Sequence, residues 1–184
     1  MAKAATATRM NPVSGNKFAN ASVTLESAGP AARVSLRATS RGASDYGKKI
    51  GLDLPKKPSQ SESKAGLSAL WIGPDEWLII DEKNPIEKLM PGRENAQTSV
   101  TDISHRNVAF LISGDGAVNT LSAAAPRDLS LAAFPVGCTS RTIFGKAEVV
   151  LLRTSKTSFR LECWRSFAPY VWDLLVDGAQ DAHV

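Results

Sequence analysis

The sequence predicts an α+β fold of mostly antiparallel sheets with packed helices. Two observations carry this class: apolar runs of strand length outnumber helical repeats, and the runs arrive in pairs separated by short turn segments. A third fixes the helical part, because a clear 3.6-residue repeat occurs near the C-terminus, where Phe167, Tyr170, Val171, Leu174 and Leu175 fall on one stripe.

The elements follow in order. Residues 1–20, rich in Ala and Thr without sustained periodicity, read as a flexible N-terminal arm. ASVTLES (21–27) and ARVSLRA (32–38) are strands parted by Gly29-Pro30, with Val34, Leu36 and Ala38 alternating as one buried face. From Thr39 to Gly66 the composition turns to Ser, Gly, Lys and Pro. So long a stretch is functional, draped over a partner, or interrupted by a short helix. GLSALWI and EWLIID pair as a hairpin across Gly73-Pro74-Asp75. Asn84 as N-cap, Pro85 at the first helical position and Glu87 closing a capping box predict a helix ended by Pro91-Gly92. TSVTDIS and NVAFLIS are strands, and SGDGAVNTLSAAA is a tight turn into a helix capped by Asp115. PRDLSLAAFPVG is a loop with buried anchors, and RTIF, AEVVLLRT and SFRLEC are three further strands. Ser166 is read as the cap of the last helix and Gly178 as its C′ residue. Together residues 21–178 form a single domain of two halves, about 21–95 and 96–178.

Composition narrows the class. With 184 residues, 43% hydrophobic and 22% charged, the chain can bury a substantial core. Its longest apolar runs fall well below the roughly 18 residues of a membrane span, so no membrane role is expected. Neither an export signal nor a CxxC pair stands out. Cys138 and Cys163 are therefore expected as buried, reduced thiols in a cytoplasmic protein without a metal site. Charge is uneven: up to Gly66 there are 11 Lys and Arg against 4 Asp and Glu, a balance of +7, and the remainder carries −3. A basic half attracts nucleic acid, an anionic ligand or an acidic protein surface, or is a solvated face. With only Phe18 and Tyr46 aromatic in that half, nucleic-acid stacking has little to build on.

No catalytic constellation stands out. Asp102, Ser104 and His105 supply the residue types of a hydrolytic triad, but on a strand Asp102 and Ser104 face away from His105. Gly114-Asp115-Gly116 starts a dinucleotide fingerprint whose third glycine is replaced by Asn119. Asp75-Glu76 and Asp81-Glu82 are paired carboxylates at hairpin ends, where they point apart into solvent rather than into one cleft. Trp71 or Trp77 is assigned to the core. Trp172 lies off the apolar stripe and is read as facing another surface.

The succession VSLRA, LWIGPDEWLII, DISHRNVAFLISGDGAVNTL, RTIFGKAEVVLLR and FRLECWRSFAPYVWDLL resembles the gamma subunits of heterotetrameric sarcosine oxidase, over about residues 21–178. GPDEW, DISHR and RSFA, in that order and spacing, are its most specific parts. The resemblance implies the folate-binding fold of the glycine-cleavage T-protein. It implies an assembly that demethylates sarcosine oxidatively to glycine and hydrogen peroxide and passes the one-carbon unit to tetrahydrofolate. It also implies partners: an alpha subunit with NAD and folate, a beta subunit with FAD, FMN between those two, and a small delta subunit with zinc. No cofactor, metal or catalytic residue is implied for the gamma chain. Active T-proteins read D-V-S-H-M-G where this chain has DISHRN, and later carry an Asp-Asp pair. Here Ala147 and Glu148 stand roughly in that place, with Glu148 the one possible substitute. The expected function is a non-catalytic supporting subunit, docking through its basic half and residues 39–66. On that reading, deleting 39–66 leaves the domain folded and weakens the complex. A stand-alone folate-binding or one-carbon transfer protein is the alternative, and a nucleic-acid module is a weaker rival.

Overall fold

The computed structural model describes residues 11–91 and 97–182. The chain runs β1 (Lys17–Ala19), β2 (Thr24–Ser27), β3 (Ala32–Ala38), α1 (Ser40–Ile50), β4 (Ser61–Lys64), β5 (Leu67–Gly73) and β6 (Glu76–Asp81). A 3-10 turn at Ile86–Leu89 leads to β7 (Thr98–Asp102), β8 (Asn107–Ser113), α2 (Ala117–Ser122), β9 (Thr139–Phe144), β10 (Ala147–Ser155) and β11 (Ser158–Trp164). A second 3-10 turn, Arg165–Phe167, enters α3 (Ala168–Asp181). Six strands form one sheet in the order β1-β2-β8-β11-β10-β9, and five form another in the order β4-β5-β6-β3-β7. Every ladder is antiparallel.

Side-chain alternation stacks these elements into layers. On β6, Trp77 and Ile79 face a core shared with Tyr46 of α1, while Leu78 and Ile80 face Val150 and Leu152 of the six-stranded sheet. On that sheet Phe110, Val149, Leu151, Phe159 and Leu161 turn the other way, onto Val171 and Leu175 of α3. The order is α1, five-stranded sheet, six-stranded sheet, then α2 with α3. Strands buried on both faces explain why EWLIID and AEVVLL carry apolar residues at successive positions instead of alternating with polar ones. A single bridge, Gln60 to Cys138, ties the sheets at one edge, supported by Thr139 N–H donating to Ser59 O at 3.0 Å.

Between the sheets lies an ionic cluster. Arg33 reaches across from β3 to Glu162 of β11, with Nε to Oε2 at 2.7 Å and Nη2 to Oε1 at 3.2 Å. Arg160 Nε adds a bond to Glu162 Oε1 at 2.8 Å, and its Nη1 meets Glu82 at the rim. Arg33, Arg160 and Glu162 are all buried. Arg33 Nη1 also donates to Ala31 O at 3.1 Å, while Arg160 Nη2 is buried without a partner among the described residues.

Several sequence expectations change. Residues 11–20 are not all free arm: β1 pairs with β2, and Val13 is buried. Residues 1–10 lie outside the described residues. A split at 95 does not match the sheets, because β2 joins β8 and not the five-stranded sheet. The 39–66 segment contains α1, capped by Thr39 Oγ1 accepting from Gly42 N–H at 3.2 Å, and then β4. Tyr46, Leu52 and Leu54 sit in the core, and Trp77 Nε1 donates to Pro55 O at 2.8 Å. Deleting this segment therefore removes core, not just a docking arm. Its helical period escaped notice because small residues occupy the buried stripe. A Cβ at Gly42 would lie 2.4 Å from Gln97 O, so the close approach needs glycine there.

The helix expected after Asn84 is only the 3-10 turn. Its cap position is Pro85, and Asp81 claims Asn84 instead, accepting from the backbone N–H groups of Lys83 and Asn84 at 2.9 and 3.0 Å. Gly92, expected as part of its stop, lies outside the described residues. Asp115 and Ser166 cap nothing: α2 starts after Gly116 and α3 after Phe167, without a side-chain bond. Gly178 lies inside α3, where a Cβ would approach Thr120 O to 2.7 Å, so it sets the α2–α3 contact instead of ending the helix. The buried face of α3 is Ala168, Val171, Leu175 and Ala179, while Phe167 and Tyr170 are exposed. Trp172 turns inward, its ring 5.5 Å from that of Phe110.

Replacing Glu162 with Ala leaves two buried guanidinium groups without their shared counter-charge. The expected loss is about 3–5 kcal/mol of unfolding free energy. Replacing the whole cluster (Arg33→Met, Arg160→Met, Glu162→Leu) should cost far less. Urea unfolding of the two variants checks the order, and equal losses would show that the cluster does not act as a unit.

Candidate functional site

The segment 102–106 leaves β7 and turns into β8. Ser104 Oγ donates to Asp102 Oδ1 at 2.6 Å and accepts from Arg33 N–H at 2.9 Å, while Ser104 N–H donates to Asp102 Oδ1 at 2.9 Å. Both side chains are thus spent joining this turn to β3. His105 points elsewhere, with both ring nitrogens 3.0 Å from Arg165 Nη1. His105 makes no hydrogen bond to Ser104, whose hydroxyl is held directly by Asp102, so the three residues are adjacent in sequence without forming a Ser–His–Asp relay.

The glycine turn 114–116 is closed by protein. Gly116 N–H donates to Ser22 O at 2.9 Å, and a Cβ on Gly114, at φ 118°, would meet Ser22 O at 2.3 Å. Chain, not a phosphate, fills the space beside these glycines, and α2 behind them has six residues.

The hairpin carboxylates each have their own partner. Asp75 pairs with Arg37 and Glu76 with Arg141, each at 3.1 Å, and Glu82 meets Arg160. Asp81 is buried, not solvated. Burial opposes its ionisation, but the N–H donors of Lys83 and Asn84, the Asn84 amide and the Lys83 charge offset this and hold its carboxyl below the usual range. The hairpin is structural: Trp71 faces Trp77 across it, Trp77 is in the core, and the Trp71–Gly73 irregularity bends the strand into its turn.

Three of the hollows adjoin these groups. One of about 300 Å³ is bounded by Ser27, Arg33, Ser104, His105, Asn107 and Arg165. A second, about 240 Å³, holds Glu76, Arg106, Arg141, Glu148, Glu162 and Trp164. A third, about 560 Å³, is bounded by Ser61, Ser63, Ser68, Glu82, Val136 and Arg160. Ala147 is fully buried while Glu148 is exposed at the mouth of the second. Adjacent carboxylates are therefore absent at 147–148, and the other glutamate that this sheet turns into the cleft, Glu162, is held by Arg33 and Arg160. Among the described residues no three of His, Cys, Asp and Glu come together as a metal set. No helix among them is long and apolar enough to cross a membrane.

What sequence reasoning missed is a surface, made where the 102–106 turn meets the end of β11. Arg165 N–H donates to Arg106 O at 2.7 Å and locks the two segments together. Arg106 lies 5.1 Å from the centre of the Trp164 ring, whose other neighbour, Phe167, is 6.4 Å away. The signal was present in RNV and ECWRSF, where Arg and aromatic residues flank strand ends.

Both cysteines are buried and unpaired. Burial first, then the neighbouring Glu162 charge, pushes the Cys163 thiol up to about 12, with Arg33 opposing. The folded chain therefore keeps this proton more tightly than the unfolded chain, whose thiol titrates near 8.5. The stability involved is complete below that value and is lost as pH rises toward 12. Between pH 8.5 and 10 the unfolding free energy should fall, with up to about 1.4 kcal/mol per pH unit from this one group. Cys163→Ala should show a shallower slope. Equal slopes in the two proteins would place the pH sensitivity elsewhere.

Comparisons with known proteins agree on one family. Residues 37–181 match the sarcosine oxidase, gamma subunit family. A sarcosine oxidase subunit gamma from Corynebacterium sp. (strain U-96) is 27% identical over 164 residues, covering 86% of this chain and 80% of the relative. The heterotetrameric sarcosine oxidase from Corynebacterium sp. U-96, solved with pyrrole 2-carboxylate, contains a chain that superposes with a TM-score of 0.83 at 25% identity, covering 91% of this chain and 89% of that one. The glycine cleavage system aminomethyltransferase T from Bartonella henselae shares the fold, with a TM-score of 0.63 at 15% identity over 85% of this chain and 46% of its own.

Proposed function

The chain belongs to the sarcosine oxidase gamma subunit family, and from that premise we propose that it serves as a non-catalytic subunit of a heterotetrameric sarcosine oxidase. One observation carries the non-catalytic part: the residues with the chemistry to act are spent on the fold. Ser104 and Asp102 pin a turn to β3, Gly114 and Gly116 pack on Ser22, and Asp81 holds Asn84. The domain has kept an aminomethyltransferase-like fold and uses its polar residues to hold it.

In this reading the assembly oxidises sarcosine to glycine with reduction of oxygen to hydrogen peroxide, and hands the one-carbon unit to tetrahydrofolate. FAD, FMN, NAD, folate and zinc belong to the alpha, beta and delta partners, in the cytoplasm. This chain contributes a rigid two-sheet block. Residues 39–66, expected to dock, are instead built into the domain through Tyr46, Leu52 and Leu54, so no docking role is assigned to them.

Glu148→Ala and Ser104→Ala, each introduced into the assembled oxidase, test the absence of catalysis in this chain. Turnover of sarcosine per complex should stay within about twofold of the parent. The Ser104 variant should lose about 1 kcal/mol of stability from its hydrogen bonds. A drop of a hundredfold or more with the complex intact would give this chain a reacting group. Titrating the isolated chain with a reduced folate separates the stand-alone alternative, which requires stoichiometric binding.

A further inference from the structure

We propose that the surface formed by Trp164, Phe167, Arg106, Arg165 and His105 is a docking face for an acidic segment with aliphatic side chains on a partner subunit; this rests on the subunit reading above. Trp164 and Phe167 are 41% and 42% exposed, and Tyr170, one turn further along α3, is 39% exposed. Trp164 and Phe167, side by side at the end of β11, and Tyr170 on α3 forgo burial that other large rings of the chain achieve. They are not a mobile tail: Arg165 N–H bonds to Arg106 O, and Tyr170 Oη accepts from Lys146 N–H at 3.1 Å.

Charge says what kind of partner covers them. Arg33, Arg37, Arg141 and Arg160 each meet a carboxylate. Arg106 and Arg165 meet none among the described residues. Arg106 donates to the Asn107 amide oxygen at 3.1 Å and lies against Trp164, and Arg165 lies against His105. Asp102, the nearest acid to Arg106 along the chain, is turned toward Ser104, and Glu162, the nearest to Arg165, is held by Arg33 and Arg160. Glu148 shares the cleft beside Trp164 with Arg106 and forms no ion pair there. Beside His105 and Arg165 opens the 300 Å³ hollow, deep enough to receive one carboxylate side chain. An arriving segment therefore gains most by placing Asp or Glu against Arg106, Arg165 and the hollow, with aliphatic carbons over the indole and phenyl rings. Trp and Arg side chains of this kind dominate binding energy at interfaces. A second copy of this chain is a poorer occupant, because two-fold pairing would set arginines against arginines.

The test expresses the tagged chain together with the other subunits of its host's oxidase. Trp164→Ala and the pair Arg106→Glu with Arg165→Glu should each keep the circular dichroism and melting temperature of the parent. Each should weaken assembly at least tenfold, and the charge pair should weaken it most at low salt. Reversal of Arg41, Lys48 and Lys49 on α1 should leave assembly unchanged. A photo-crosslinker in place of Phe167 should capture an acidic segment of a partner subunit. Full assembly of the Trp164 and arginine variants, or loss confined to the α1 variant, overturns this face while leaving the subunit reading intact. Crosslinking only to a second copy also overturns it. A parent chain that does not assemble at all removes the subunit reading and this proposal together.

Discussion

The two sheets are held in register by charge inside an otherwise apolar interface. Arg33 on β3 and Arg160 on β11 converge on one carboxylate, Glu162, with Glu82 closing the cluster at the rim. A buried ionic cluster gives little net stability over well-packed hydrocarbon, because desolvation consumes much of the Coulombic gain. Its geometry is another matter. Leu70, Leu78, Ile80, Val150 and Leu152 tolerate sliding of one sheet over the other, whereas a fork of two N–H bonds on one carboxylate fixes a single offset. The turn at 102–106 is set by the same residue, since Arg33 N–H is the donor that Ser104 accepts.

That constraint bears on function. Asp102 and Ser104 complete a turn, and Ala147 fills the helix-side core. With the polar groups so committed, the parts of the molecule left for recognition are its surfaces. The surface at Trp164 exists because β11 ends where the 102–106 turn passes, and a backbone bond from Arg165 to Arg106 fastens the two.

Much of the fold was legible because strands announce themselves by alternation and by Gly-Pro breaks. Ala32–Ala38 and the hairpin of Leu67–Gly73 with Glu76–Asp81 stand where the pattern places them. Helices were harder. α1 was lost because its buried stripe is made of Gly42, Ala43, Tyr46 and Gly47, chosen for close approach and not for hydrophobicity. α3 was found but rotated: Phe167 and Tyr170 strengthen an apparent stripe whose true core members include the small Ala168 and Ala179. Caps failed for a related reason. Asn84 has the right chemistry for a cap, yet Asp81 competes for it locally. A triad at 102–105 was rejected partly on strand geometry, yet Ser104 and His105 lie in the turn between β7 and β8, where Ser104 bonds Asp102 and Arg33 and His105 turns to Arg165. Which charges would be buried did not show, because a strand reading SFRLECW gives no sign that Arg160 and Glu162 face another sheet.

In the proposed reading this chain adds structure, not chemistry, to a sarcosine-oxidising assembly. Mild purification of the tagged chain from its native host, followed by mass spectrometry, a visible spectrum and a sarcosine oxidation assay, tests it most directly. The expected result is a yellow complex of unlike subunits, active on sarcosine, with this chain present in fixed ratio and colourless once separated. Recovery of a lone, colourless 19.6 kDa protein that binds a reduced folate by itself would contradict it.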